Sequence, residues 1–310
     1  MRIYSHPACL QHDPGPNHPE TSARLQSVNE ALKDAFSTLD WHSAPLATRE
    51  QLARAHTAEL ITTVLDTPAI ERVQLDEDTF LSAGSALAAL HASGAAIAAV
   101  DAILSDDISQ AFCSVRPPGH HATRDTAMGF CLFNNVAVAA MHAFAVHGLQ
   151  RIAIVDFDVH HGNGTQAIFE NDPRVLFASS HQSPLYPDTG MADERGVGNI
   201  FNAPLPAESG GAEFRAAWSE CLLPAVDAFA PQLILVSAGF DAHRLDPLAQ
   251  LRLEADDYYW IGSELTRLAN RHASGRLVSI LEGGYSLAAL RECSVAYLRG
   301  LLGEQAHSSP

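Results

Sequence analysis

The stretch Ile152-Ala153-Ile154-Val155-Asp156-Phe157-Asp158-Val159-His160-His161-Gly162-Asn163-Gly164 decides the fold. Its first half is a nearly unbroken apolar run, which reads as a strand buried on both faces. Its second half turns abruptly to Asp, His, Gly and Asn. Leu233–Gly239 (LILVSAG) has the same build and is followed by Phe240-Asp241-Ala242-His243. In all, strands are expected at Ala111–Val115, Arg151–Phe157, Val175–Ser179, Leu233–Ser237 and Arg276–Leu281. Helices are expected at Ser22–Phe36, Gly84–Leu104, Asn134–His147, Gly211–Phe229 and Asp256–Arg271. Short strands alternating with longer helices predict an α/β protein, an open, mostly parallel sheet with helices on both faces. No repeat, low-complexity tract or long Gly/Ser linker divides the chain, so a single domain over residues 1–310 is expected.

The unusual polar residues follow the strands. RPPGHHA (Arg116–Ala122), DVHHGNG (Asp158–Gly164), SSH (Ser179–His181), GFDAH (Gly239–His243) and EGGY (Glu282–Tyr285) each succeed one of them. In open α/β sheets ligands bind at the carboxyl ends of the strands, so five separate segments converge on one rim.

Composition narrows the function. Apolar residues make up 47% of the 310, enough for a sizeable core. No run of about 18 uncharged apolar residues marks a membrane span. The most apolar stretch, Ala83–Leu104, is broken by Ser85, His91, Ser93, Gly94 and Asp101 and reads as a buried helix. Met1–His6 lacks the features of a signal peptide, so a cytoplasmic protein is expected. The net charge of −17 argues against nucleic acid and is compatible with cationic substrates. The 5 cysteines form no CxxC pair, so neither a disulfide framework nor a thiolate metal site is indicated. Any transition-metal site must draw on carboxylates and the 16 histidines.

Asp158 and His160 are two apart at a strand end, where period-two geometry puts both on one face. Asp241, after a second strand, can add a third ligand. Two carboxylates and one imidazole leave positions open for water and substrate, as in catalytic zinc sites. Asp156 lies deeper on the same face and is suited to orienting an imidazole. His120 and His121 follow Pro117-Pro118-Gly119, whose backbone is stiff enough to aim them, and imidazole titrates where proton transfer at neutral pH is efficient. Asp156 can hold one histidine and Asn163 can accept from the other. Tyr285, after Gly283-Gly284, can donate to a developing oxyanion.

Together RPPGHHA, MGFCLFNN (Met128–Asn135), VDFDVHHGNGTQ, SAGFDAHRLDPL and LEGGY resemble the arginase/deacetylase superfamily, and within it class II-like histone deacetylases and bacterial deacetylase-like amidohydrolases. The resemblance runs from about residue 3 to residue 302. It implies one catalytic Zn2+ per chain on Asp158, His160 and Asp241. It implies His121 as general base and then acid, His120 as its electrostatic partner with Asp156 behind, and Tyr285 on the carbonyl oxygen. Gly129, Phe130 and Tyr186 match positions lining an acyl-lysine tunnel, and Arg24 an internal arginine behind the metal. Asp78 is the candidate substrate-clamping acid. Leu248 stands where polyamine-preferring relatives carry a glutamate, and Tyr186 replaces the usual phenylalanine. Asn163, where some relatives have aspartate, is shared by class II-like members. Backbone around Asp156, Asp158, His160, Ser179 and Ser180 matches a structural K+ site.

The expected activity is therefore hydrolysis of an acyl-amide, with an acylated lysine peptide or a small acylated amine as substrate. An acetylpolyamine amidohydrolase is the nearest alternative. A non-catalytic acyl-lysine-binding protein would have lost Tyr285 or a metal ligand, and neither is missing. An arginase-like dimanganese enzyme would want more carboxylates. Homo-oligomerisation is left open by the sequence.

Overall fold

The structure is a computed structural model that describes residues 1–304. Its strands are β1 (Arg2–Ser5), β2 (Asp40–Ser43), β3 (Val73–Gln74), β4 (Phe80–Leu81), β5 (Gln110–Cys113), β6 (Ile152–Asp156), β7 (Val175–Gln182), β8 (Ile200–Leu205), β9 (Leu233–Ala238) and β10 (Leu277–Leu281). Its helices are α1 (Ser22–Ala35), α2 (Arg49–Leu52), α3 (Ala58–Asp66), α4 (Ser85–Leu104), α5 (Asn135–His147), α6 (Asn163–Phe169), α7 (Gly211–Ala217), α8 (Leu223–Phe229), α9 (Ala255–His272) and α10 (Leu287–Leu302). Eight strands form one sheet in the order β2-β1-β5-β10-β9-β6-β7-β8, every pair parallel. Only β3 and β4 stand apart, as a two-stranded antiparallel pair. Helices α1, α9 and α10 pack together on one face, and α4 and α5 on the other.

Every residue of β5, β6, β7, β9 and β10 is buried, as their continuous apolar runs require. These five strands are also the five central neighbours in the order β5-β10-β9-β6-β7, and they are the five that end in the polar motifs. At the adjacent strand separation of about 4.8 Å, five strand ends span on the order of 20 Å. From β5 the chain passes over two positions to β6, and β10 and β9 later fill the gap. The order thus reverses where the polar segments meet, as at the crevice of other open α/β sheets.

Some elements were not anticipated. β1, β2 and β8 lie at or near the sheet's edges, and exposed Asp40 and Ser43 in β2 give no apolar run to read. α10 is a further unanticipated helix. The expected single helix over Gly211–Phe229 is interrupted by a π-turn at Trp218–Leu222. There the buried Trp218 indole donates to Ser180 Oγ at 2.9 Å, and Pro224 just beyond has no N–H to continue the helical ladder. α4 has the length and hydropathy of a membrane span, yet 67% of its most apolar window is buried inside the fold, as expected of a core helix. All five cysteines are free thiols.

One buried histidine ties the turn that follows His120 and His121 to its neighbours. His56 Nδ1 donates to Thr123 O and Nε2 accepts from Asn134 N, both at 2.9 Å, which only a neutral ring can do. Burial holds its pKa down to about 4, against hydrogen bonds that act the other way. A folded-state value below the ordinary 6.5 means that the unfolded chain takes the proton first. The stability from His56 is complete above about pH 6.5 and falls as pH drops towards 4, by about 1.4 kcal/mol per unit. Urea midpoints from pH 7.5 to 4 should decline over this window, and His56→Gln should flatten the decline. An unaltered slope in the variant would count against the assignment.

Candidate active site

The rim is built on the register of the central strands. Asp156 is level with Ser179 on one side and Ser237 on the other, and Ser237 with Ile280. Two residues beyond Asp156 the backbone of Asp158 donates to Asp156 Oδ1 at 3.1 Å, and His160 N donates to Asp158 Oδ1 at 2.9 Å. Asp241, from the next strand, accepts from Val159 N at 2.9 Å. His160 Nδ1 then lies 3.2 Å from both Asp158 Oδ1 and Asp241 Oδ2. The three donor atoms all fall within 4.8 Å of one another, and all three residues are buried.

This trio fits a divalent cation. Two buried carboxylates facing each other with one imidazole form a nitrogen–oxygen donor set with room for further ligands. Burial and the charge of Asp158 push Asp241 above the usual carboxylate range, the repulsion a cation would relieve. The cradle also depends on glycine: a Cβ on Gly239 would stand 2.1 Å from Asp158 Oδ2, and one on Gly283 2.0 Å from Asp241 Oδ2. Gly283 N instead donates to Asp158 Oδ2 at 2.8 Å.

The two histidines are held differently, which settles which carboxylate or amide serves which ring. His120 Nδ1 lies 2.9 Å from Asp156 Oδ2, and its Nε2 lies 3.8 Å from Asp158 Oδ1. Burial lowers its pKa, but Asp156, Asp158 and Glu282 outweigh that and raise it to about 10. His121 Nδ1 lies 2.8 Å from Asn163 Oδ1, whose amide nitrogen faces Met128 Sδ at 3.4 Å. The amide oxygen accepts, so the Nδ1 of His121 carries the proton and Nε2 keeps its lone pair. Burial first, then the neighbouring His120 and His160, hold its pKa well below 6.5. The outcome is an imidazole that favours its neutral form beside one that favours its charged form. Gly129, at φ +57°, lies against His121, where a Cβ would come within 2.5 Å of the ring.

Around this centre, Tyr186 meets His121 edge-on at 5.2 Å between ring centroids, and Phe130 meets Tyr285 edge-on at 5.8 Å. Asp78, half-buried beside β4, accepts from Thr79 Oγ1, which in turn accepts from Phe130 N at 3.0 Å. Burial raises the pKa of its carboxyl. Tyr285 N donates to Asp246 Oδ2 at 2.7 Å, and Leu248 N to Asp246 Oδ1 at 3.0 Å, so Leu248 belongs to the turn that pins Tyr285. Arg24 is buried, with its guanidinium 4.8 Å over the Tyr285 ring. It donates to Gly284 O at 2.5 Å, Glu282 O at 2.6 Å and Glu20 Oε1 at 2.8 Å, so it acts here as a brace for EGGY. Ser179 and Ser180 are buried within β7, where Ser179 Oγ lies 3.0 Å from His181 Nδ1 and Ser180 Oγ accepts from the Trp218 indole.

Two groups escaped the sequence reading. Glu282 is fully buried, accepting from Gly119 N at 2.6 Å and His120 N at 3.2 Å and from Ser237 at 3.1 Å. Burial, partly offset by His120, raises its pKa to about 7. Glu20 lies buried between Arg24 and the fully buried Arg116, and burial is outweighed by their charges, leaving its pKa at about 2. The signal was a charged residue beside prolines or glycines, but Arg116 lies 96 residues from Glu20 and Gly119 lies 163 from Glu282.

A parallel sheet that brings two carboxylates and an imidazole together beside a neutral, oriented histidine could hold a divalent cation next to a proton acceptor, an arrangement suited to hydrolysis. Comparison with known proteins makes the assignment specific. The histone deacetylase domain model matches residues 18–301. A histone deacetylase-like amidohydrolase from Pseudomonas aeruginosa is 40% identical over 92% of this chain and 76% of its own length. Histone deacetylase 14, chloroplastic, from Arabidopsis thaliana is 39% identical over 99% and 78%. The crystal structure of the HDA15 HD domain superposes with a TM-score of 0.91 at 35% identity, covering 98% of this chain and 91% of the other. The chain belongs to the histone deacetylase family and is a hydrolytic deacetylase.

Proposed function

We propose that the protein removes acyl groups from N-acyl-lysine side chains, with one zinc ion on Asp158, His160 and Asp241. The observation that carries this is the 2.8 Å contact of His121 Nδ1 with Asn163 Oδ1, which leaves Nε2 free next to the Asp158, His160 and Asp241 trio. An ion there supplies Lewis acidity that polarises the amide carbonyl and acidifies water. His121 Nε2 accepts the proton of the attacking water, while His120, held by Asp156, keeps positive charge close to the developing oxyanion. Tyr285 donates its hydroxyl proton in a hydrogen bond to that oxyanion. Protonated His121 then returns a proton to the departing lysine amine, without which an amine is a very poor leaving group. Gly129, Phe130 and Tyr186 line the acyl-lysine channel, and Asp78 holds the substrate backbone at its mouth. Leu248 in place of an acidic residue favours peptides over polyamines. Backbone around Asp156, Asp158, His160, Ser179 and Ser180 would hold a structural K+ ion.

Relative kcat/KM on acetyl-lysine peptides, longer acyl-lysine peptides and acetylpolyamines tests the reading. Peptides are expected to lead, and an acetylpolyamine preferred tenfold or more would overturn it. Asp241→Ala is expected to lose most of its bound metal, because two ligands with one carboxylate hold a divalent ion poorly. Metal analysis after gel filtration checks this, and full retention would remove Asp241 from the ligand set.

A further inference from the structure

A second set of metal-ligating side chains lies away from the strand ends. α5 starts from the catalytic rim and runs antiparallel to the strands, so its last turns reach the opposite end of the sheet, just before β6 begins. There His142 and His147 of α5 meet Asp101 of α4. Each histidine Nε2 lies 2.7 Å from the same carboxylate oxygen, Asp101 Oδ1. The two rings are 5.7 Å apart at 60°, and the three donor atoms fall within 4.8 Å of one another. The side chains are 6%, 22% and 49% exposed for His142, His147 and Asp101, so the cluster is anchored on one side and open to water on the other.

The geometry points to an independent divalent-metal site at Asp101, His142 and His147. Two imidazole nitrogens and one carboxylate oxygen select zinc, nickel, cobalt or copper over calcium or magnesium, and three protein ligands leave the remaining positions to water. In the arrangement observed, both rings point N–H groups from Nε2 at Asp101. The ion takes the place of those two protons, and each ring moves its N–H to Nδ1, with no proton gained or lost overall.

Arg54 sets the affinity of this site. Its Nη1 donates to His142 Nδ1 at 2.9 Å, which favours the proton on Nε2 and opposes metal binding. Its Nη2 lies 3.9 Å from Glu50 Oε1, an exposed carboxylate to which the guanidinium can turn when Nδ1 takes up the proton. Binding therefore competes with one charge-assisted hydrogen bond, and the ion would clip the C-terminal ends of α4 and α5 together.

Isothermal titration of the metal-loaded enzyme with Zn2+, and separately with Ni2+, tests the site. The wild type is expected to take up one equivalent beyond the catalytic ion, with the thermal midpoint rising by about a few degrees. His147→Ala and Asp101→Asn should lose that equivalent and the thermal shift while keeping wild-type deacetylase turnover. Arg54→Gln lies outside the ligand set and should bind at least about tenfold more tightly. No additional equivalent in the wild type, undiminished uptake by His147→Ala and Asp101→Asn, or unchanged affinity in Arg54→Gln would each overturn the assignment.

Discussion

His121→Ala is expected to lose about 10²–10⁴ of kcat across the whole pH range, the contribution of a positioned general acid–base group. The geometry separates it from its neighbour. His121 presents an unprotonated Nε2 because Asn163 accepts from Nδ1, and burial with two adjacent histidines keeps the ring neutral. His120 leans on a carboxylate, and Asp156, Asp158 and Glu282 favour its charged form. His120→Ala should therefore keep clearly more turnover than His121→Ala, having lost a neighbouring charge and not the proton carrier. Metal content and thermal midpoint must be read on both variants, since both rings are buried. A His121→Ala protein that stays folded, keeps its metal and turns over near the wild-type rate would end the assignment.

Tyr285→Phe is expected to cost about 10²–10³ in kcat while leaving KM and metal content close to wild type. The ring is fixed by Phe130 at its edge, by Arg24 over its face and by the Asp246 hydrogen bond to its backbone, and phenylalanine preserves all three. Only the hydroxyl is removed, so the loss reports on the oxyanion. A change confined to KM would instead make Tyr285 a substrate-binding residue.

The interior of the fold was legible because burial on both faces leaves an unmistakable mark. IAIVD and LILVSA carry no polar position until the strand ends, and the Asp or His that follows each run stands out against it. Edge strands carry no such mark: DWHS in β2 is mostly exposed and gave no period to read. The π-turn at Trp218 was only partly legible: Pro224 stands in the sequence, but the partner of the Trp218 indole, Ser180, lies on another element.

By itself the sequence indicated the fold class, the Asp158–His160 pair and the adjacent histidines, because strand and helix patterns and residue pairs show within short segments, whereas the expected Asp241 comes from another strand and is brought beside His160 by the fold. A two-residue strand period was expected to put Asp158 and His160 on one face, but β6 ends at Asp156, and the bend beyond it, with His160 N donating to Asp158 Oδ1, brings them together. Only the tertiary structure decided that Asp156 serves His120 and Asn163 serves His121, that Glu282 reaches under the Pro117-Pro118-Gly119 turn, and that Glu20 lies between Arg24 and Arg116. Apart from the local Glu20–Arg24 pair, these pairings join segments far apart in the chain, and desolvation selects them: a buried charge or imidazole proton must find a partner among whatever the fold brings within about 3 Å.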